Sequence, residues 1–130
     1  MKKGFHSINV LKGKHGNLTL GFWMTVRWLF WLTSKGLVVV SGCAHAGIIN
    51  TVRCIQNVTA LSDVYAIVGG FHLAGKENEA RIGQTVEELK RIDPKRIVPC
   101  HCTGWRGKLA IAEALPDAFI WNSVGNRYSF

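Results

Sequence analysis

The sequence lacks carboxylates over almost its entire first half. Asp63 is the first acidic residue, although the 130 residues include 16 Lys and Arg against 8 Asp and Glu. The resulting net charge of +8 allows two interpretations of the acid-free stretch. It is either a basic arm that binds phosphates, or a stretch that is not a normal, selected protein sequence.

Long apolar runs are absent as well. The nearest approach, residues 18–32, is shorter than the ~18–20 residues that span a bilayer, and it contains Arg27. The start, Met1-Lys2-Lys3, leads into a mixed polar stretch and not into the apolar core of a secretory signal. With 48% hydrophobic and 18% charged residues, the chain is not globally disordered. We therefore expect a folded cytoplasmic protein of one domain or less, without a membrane segment.

A disulfide framework and a structural zinc knuckle are also missing. The four cysteines lie at positions 43, 54, 100 and 102, and no Cys-x₂-Cys pair occurs. Cys54 falls within a helical pattern, where a cysteine is typically a small buried apolar residue. The other three cysteines each lie close to a histidine, which is the first chemical signal in the sequence.

Strands and helices alternate from residue 35 onward. The predicted strands are 37–40, 64–68, 96–98 and 118–121, with a last edge at 127–130, and the predicted helices cover about 48–59, 79–92 and 109–115. This alternation is typical of an α/β fold with largely parallel strands. We divide the chain into an atypical, basic, Trp-rich N-terminal segment (1–34) and a regular half-domain (35–130).

A histidine follows each of three consecutive predicted strands. The three strand ends read Gly42-Cys43-Ala44-His45, Gly69-Gly70-Phe71-His72 and Pro99-Cys100-His101-Cys102. In open α/β sheets, ligands bind beyond the carboxyl ends of the strands. We therefore expect His45 and His101 to face one pocket at this edge, with His72 at its rim.

Imidazole and thiolate together suit zinc or iron. If residues 100–102 are extended, their side chains alternate, so His101 points away from both Cys100 and Cys102. Either His101 or the Cys100/Cys102 pair then binds the metal. We expect His101 to face the metal and both flanking thiols to lie opposite it, buried and inert. An alternative is acyl transfer by Cys43, activated by a neighbouring histidine, although no carboxylate is placed to orient that base.

Three segments resemble the C-terminal half of metallo-β-lactamase-fold hydrolases. They read KGLVVVSGCAHAGIIN (35–50), IVGGFHL (67–73) and IVPCHCTG (97–104). The branch they resemble is the one labelled dihydropterin-ribofuranosylaminobenzene-phosphate synthase-like. The resemblance covers about residues 35–130. It implies the C-terminal half of an αββα sandwich, with one mixed sheet, flanking helices and a metal site at one sheet edge.

The resemblance also implies which residues hold the metal. His101 would be the final motif ligand, and His45, in preference to Cys43, the middle one. His72 would be a further ligand or a substrate-side residue. The metal would be zinc or another divalent transition metal such as iron or manganese, with two ions in complete relatives. Such a metal lowers the pKa of bound water toward ~7 and polarises the substrate, here a small phosphate or ester.

The His-x-His-x-Asp-His motif of complete relatives does not occur in the sequence, and His6 and His15 stand alone. We therefore expect a partial metal-dependent hydrolase that is inactive or weak as this chain alone. Half a sandwich leaves an apolar sheet face, which a homo-oligomer or a complementary subunit would cover. The alternative is a non-enzymatic basic module that binds a partner subunit or, less in keeping with the scattered charges, nucleic acid.

The genetic code suggests an origin for the Trp-rich segment. The codons of Phe22-Trp23-Met24-Thr25, read from the third base of the Phe codon, encode Leu-Asp-Asp. The resemblance leads us to expect an Asp-Asp-x-Ala-Leu strand just before residue 35. We hypothesise that residues 22–31 are translated out of frame, with a compensating shift before Thr33. The coding DNA tests this, because a shifted frame without such a strand would eliminate the hypothesis.

Overall fold

The computed structural model describes residues 9–12, 18–23 and 26–130, with side chains for Phe30 and from Thr33 onward. The six strands are β1 (Asn9–Lys12), β2 (Leu18–Trp23), β3 (Val26–Thr33), β4 (Gly36–Ser41), β5 (Val64–Gly69) and β6 (Arg96–Pro99). The four helices are α1 (Ile48–Thr59), α2 (Lys76–Glu79), α3 (Ile82–Ile92) and α4 (Gly104–Ala114). None of the helices in the described ranges is long and apolar enough to cross a membrane.

The strands form one mixed sheet in the order β1-β2-β3-β4-β5-β6. The pairs β1–β2, β2–β3 and β3–β4 are antiparallel. The pairs β4–β5 and β5–β6 are parallel. Helical segments between these strands carry the chain back, so that each strand starts at the same end of the sheet as the one before it. The predicted α/β class, with one mixed sheet and flanking helices, is confirmed.

The described strands of segment 1–34 extend the sheet of the half-domain, since β3 pairs with β4 from Trp28–Ser41 to Thr33–Gly36. The boundary that we place at residue 34 stays a prediction. His6 and His15 lie outside the described residues. The frame-shift hypothesis concerns residues 22–31, and Phe30 is the one residue of this stretch whose side chain the structure describes. The hypothesis therefore also stays a prediction.

The core lies between the sheet and the helices. Residues on one face of the parallel strands, including Val39, Ile67 and Ile97, are 0% exposed and belong to one apolar cluster. The helices contribute buried residues at helical spacing: Ile48, Val52 and Ile55 of α1, Val86 and Leu89 of α3, and Ile111 of α4. Continuous apolar runs in β4 and β5 therefore identified these strands correctly, as expected for strands covered on both faces.

The predicted strand at 118–121 is wrong. Only Phe119 forms a parallel bridge, to Ile97 of β6. The Ile97 amide donates to the Ala118 carbonyl oxygen (2.7 Å), and the Ile97 oxygen accepts from the Ile120 amide (2.8 Å). The next donor along β6 would be residue 99, a proline with no N–H, so the ladder cannot continue. The predicted edge at 127–130 is also not a strand.

Two predicted helices differ from the observed ones at their starts. Helix α4 begins at Gly104, five residues earlier than predicted, directly after the turn that follows β6. The helix predicted over 79–92 is α3, which begins three residues later, at Ile82, and Glu79 is the last residue of a separate short helix, α2. Gly104 and Gly107 lowered the helical signal of the first stretch. Gly107 is buried, and a Cβ added there would lie 3.2 Å from the Leu73 Cβ and 3.3 Å from the Thr103 Cγ2.

Candidate metal centre

The three parallel strands deliver three turns to the same edge of the sheet: 42–47 after β4, 70–75 after β5 and 100–103 after β6. Backbone hydrogen bonds join each turn to the next. The Gly70 amide donates to the Gly42 oxygen at 2.8 Å, and the Leu73 amide donates to the Cys102 oxygen at 3.0 Å. The chemistry-bearing residues are therefore carried on turns that the sheet holds in register.

Cys43, His101 and Cys102 form a compact group at this edge, which we call the Cys-His-Cys group. The Cys43 Sγ lies 3.0 Å from the His101 Nε2. One ligand atom from each of the three residues lies within 4.8 Å of the other two. Two sulfurs and one imidazole nitrogen are the donors that zinc prefers, and three protein ligands are the number in an open catalytic zinc site.

The prediction that both flanking thiols point away from His101 is wrong for Cys102. Strand β6 ends at Pro99, so residues 100–102 are not extended and alternation does not apply. Cys102 has a φ of 20°, and the Thr103 amide donates back to the His101 oxygen, which closes a tight turn. The turn brings the Cys102 sulfur to the same side as His101.

Cys100 lies apart from the Cys-His-Cys group. Its Sγ accepts a hydrogen bond from the Asn122 Nδ2 at 3.3 Å and donates to the Val98 oxygen at 3.4 Å. Burial raises the pKa values of the Cys100 and Cys102 thiols, and it also raises that of Cys54 on α1. Both Cys100 and Cys102 are therefore neutral thiols at neutral pH without a metal.

His45 and His72 form a second pair beside the group. Their ring centroids are 4.6 Å apart, with the ring planes at 57°. His72 has a φ of 52°, which the hydrogen bond from the next residue, Leu73, to Cys102 helps to hold. Neither ring belongs to the Cys-His-Cys group. The structure thus places two of our four predicted ligands, Cys43 and His101, in that group. The other two, His45 and His72, pack their rings against each other.

His45 and His72 line a cavity of about 510 Å³ between the turns, α1 and α3. Its polar lining also includes Asn50, Arg53, Arg81, Gln84, Thr85 and Glu88. Arg53 pairs with Glu88, whereas Arg81 has no carboxylate within ion-pair distance among the described residues. Beside the Arg53–Glu88 ion pair, the cavity therefore presents the Arg81 guanidinium, two imidazoles and the Gln84 amide, a donor set that suits an anionic ligand.

Glu88 provides a pH-dependent contribution to stability. The hydrogen bond from Arg53 lowers the pKa of the Glu88 carboxyl, and the charges of Arg53 and Arg91 lower it further. Because this pKa is lower in the folded state, Glu88 stabilises the fold above its unfolded pKa, and the contribution is lost as the pH falls through the folded pKa.

We expect the Glu88→Gln variant to be less stable than wild type at pH ~7. We expect this deficit to shrink at pH ~3, which lies below the ordinary pKa of a glutamate carboxyl. Urea unfolding at the two pH values measures this. Glu87→Gln is the matched control, because Glu87 is exposed on the same helix and, among the described residues, forms an ion pair with Lys90 alone. An equal deficit at both pH values would contradict the prediction.

Comparison with known proteins identifies two similar sequences from Methanocaldococcus jannaschii. The first, 7,8-dihydropterin-6-methyl-4-(β-D-ribofuranosyl)-aminobenzene-5′-phosphate synthase, is 40% identical over 88 residues, which are 68% of this chain and 30% of that protein. The second, an uncharacterized protein, is 33% identical over 94 residues, 72% of this chain and 34% of that one. The chain thus spans about a third of the length of these curated relatives. No family model matches the sequence.

A solved structure shares the fold. The crystal structure of a metal-dependent hydrolase of the β-lactamase superfamily matches 99% of this chain and 58% of its own, with a TM-score of 0.78 and 24% identity. This match confirms that the mixed sheet and its helices are part of a metallo-β-lactamase-type sandwich. Together with the identity to the synthase, it confirms the resemblance inferred from the three motifs.

Proposed function

We propose that this chain belongs to the metallo-β-lactamase superfamily and is the metal-binding C-terminal part of a metal-dependent hydrolase. The observation that carries the proposal is the convergence of Cys43, His101 and Cys102 within 4.8 Å at the carboxyl edge of the parallel strands. Those residues would hold the ion, with zinc the best fit to two sulfurs and one nitrogen and iron or manganese as the other divalent candidates. When bound, such an ion supplies an activated water and polarises the substrate.

The chain's own residues would then bind and orient the substrate. The cavity beside the Cys-His-Cys group offers Arg81, His45 and His72, and we assign these to the substrate side. A small phosphate or ester fits the donors, and the name of the synthase relative includes a phosphate. The two histidines remain the alternative ligands that the family resemblance implies, and a shift of either ring toward the Cys-His-Cys group would complete a four-ligand site.

We further propose that the site is incomplete in this chain. The sequence contains no His-x-His-x-Asp-His motif, and the chain spans only part of its relatives. Metal affinity and hydrolysis should therefore be lower than in a complete enzyme, unless a second copy or a complementary subunit supplies further ligands. Light scattering at micromolar concentration tests whether a second copy supplies these ligands, and a monodisperse monomer would contradict such a homo-oligomer.

The distribution of charge favours the hydrolase over a nucleic-acid-binding module. Arg53, Lys90, Arg91, Lys95 and Arg106 each lie within 4.0 Å of a carboxylate. These five cations are paired with four carboxylates, since Arg53 and Arg91 share Glu88, and are therefore less available to phosphates than unpaired cations would be. Binding to DNA that weakens steeply with salt would support the module instead, because each phosphate contact releases counterions.

Zinc titration against a competing chelator tests the proposed function. We expect one ion per Cys-His-Cys group in the wild-type chain and an affinity about 10-fold or more weaker in Cys43→Ser, because one of three ligands is lost. Cys54→Ser is the matched control, since Cys54 lies on α1 outside the group, and it should bind as wild type. Equal affinities of Cys43→Ser and wild type would contradict the proposal.

A further inference from the structure

We infer that Cys43 and Cys102 form a reversible disulfide in the metal-free protein, and that this bond and a metal ion compete for the same two sulfur atoms. The competition with a metal ion rests on the proposed function. The thiol pair does not, because the described turns place it there whether or not an ion binds.

The geometry brings two distant cysteines together. Cys43 and Cys102 are 59 positions apart in the chain, yet the Cys102 Sγ lies 3.6 Å from the Cys43 carbonyl oxygen. The two sulfurs belong to a group whose ligand atoms are all within 4.8 Å. A disulfide needs a sulfur–sulfur distance of about 2.05 Å, so the two sulfurs would have to approach each other by at most about 2.8 Å. Both residues are partly exposed, so a small reagent can reach them.

The other two cysteines are not placed for this reaction. Cys54 lies within α1, and Cys100 is engaged by Asn122 and Val98. Neither belongs to the Cys-His-Cys group. They therefore serve as internal controls of similar burial, because all four cysteines are partly exposed and reduced in the structure.

The reaction balances with a small-molecule disulfide as the oxidant. One protein thiol loses its proton and attacks a sulfur of the reagent, whose own S–S bond breaks and releases one thiol. The second protein sulfur then attacks the mixed disulfide, forms the Cys43–Cys102 bond and releases the second reagent thiol. The protein pair loses two electrons and two protons, and the reagent gains both.

A disulfide and a metal ion exclude each other at this site. A thiolate donates an electron pair to zinc, whereas a sulfur in a disulfide is a poor ligand. Oxidation would leave His101 as the single remaining donor of the group. A bound ion, in turn, occupies both sulfurs and shields them from the reagent. The site would therefore load metal under reducing conditions and lose that ability under oxidising ones.

Peptide mapping tests the inference on the 130-residue chain. The metal-free protein is incubated with oxidised glutathione, the remaining thiols are alkylated, and the chain is cut with trypsin without reduction. Trypsin separates Cys43 (peptide 36–53) from Cys54 (54–76) and from the peptide 97–106, which contains Cys100 and Cys102. The Cys100→Ser variant makes the second sulfur unambiguous. We expect a 36–53/97–106 cross-link in wild type, Cys54→Ser and Cys100→Ser, and its loss in Cys102→Ser.

The metal arm repeats the reaction with excess zinc, and we expect the cross-link yield to fall at least about 10-fold, because a metal-bound thiolate is withdrawn from exchange. Absence of the cross-link in metal-free Cys100→Ser would overturn the inference and leave the proposed function standing if zinc still binds. A cross-link that forms equally well with zinc would overturn the competition, and with it the placement of the metal on these sulfurs.

Discussion

Replacing Gly70 with alanine should weaken metal binding about 10- to 100-fold, an effect typical of changes to residues that support metal ligands. An added Cβ at Gly70 would lie 2.6 Å from the Cys102 Sγ and 2.9 Å from the His101 Nε2. Both distances are below van der Waals contact, so the two side chains must move apart. The backbone of Gly70 is not in the left-handed region, so the methyl group alone is responsible for the effect.

The same zinc titration measures this effect, with thermal unfolding to show that the variant is folded. Gly83→Ala is the matched control. Gly83 lies in α3, and a Cβ there meets nothing within 4 Å. That substitution should leave metal binding unchanged and stabilise the helix by about 0.5–1 kcal/mol. Unchanged zinc affinity in a folded Gly70→Ala protein would show that the Cys-His-Cys group is not the ligand set.

Replacing Ile67 with alanine should destabilise the fold by about 2–5 kcal/mol, a large share of the ~5–15 kcal/mol typical of a domain. Ile67 lies in the central parallel strand, between Val39 of β4 and Ile97 of β6, and is 0% exposed. Its removal leaves a cavity under the helices. The three turns depend on the register of these strands, so metal binding should be lost with the fold.

Urea unfolding of the wild-type and Ile67→Ala proteins measures the difference in their free energies of unfolding. Val68→Ala is the control, because Val68 is the next residue of β5 and is only partly buried on the opposite face. Its cost should be clearly smaller. A cost for Ile67→Ala equal to that for Val68→Ala would mean that the helix-covered face is not the main core of the chain.

The strands and the edge that carries the site could be predicted from sequence because their signals are local. The run Leu37–Val40 and the run Val64–Val68 are apolar on both faces, and each is followed by glycines that permit a tight turn. Parallel strands then place their carboxyl ends at one edge without any further information. This reasoning brought Cys43 and His101 to the same edge.

The composition of the group depended on turn conformations that no local pattern determines. Ala44, His72 and Cys102 all have positive φ although none is a glycine. Tertiary contacts hold these conformations, such as the hydrogen bonds from the Leu73 and Ala74 amides to the Cys102 oxygen. A single residue out of the extended conformation reverses the direction of the following side chain. The sequence therefore pointed to the wrong side for Cys102.

X-ray absorption spectroscopy of the zinc-loaded chain tests the central claim most directly. Zinc–sulfur bonds are about 2.3 Å long and zinc–nitrogen bonds about 2.0–2.1 Å, so the two donor types are resolved. We predict a first shell with two sulfurs, from Cys43 and Cys102, and at least one imidazole nitrogen, from His101. Cys43→Ser should lose one sulfur, and Cys54→Ser should lose none. A shell of nitrogen and oxygen alone would contradict the account and move the metal to the histidines.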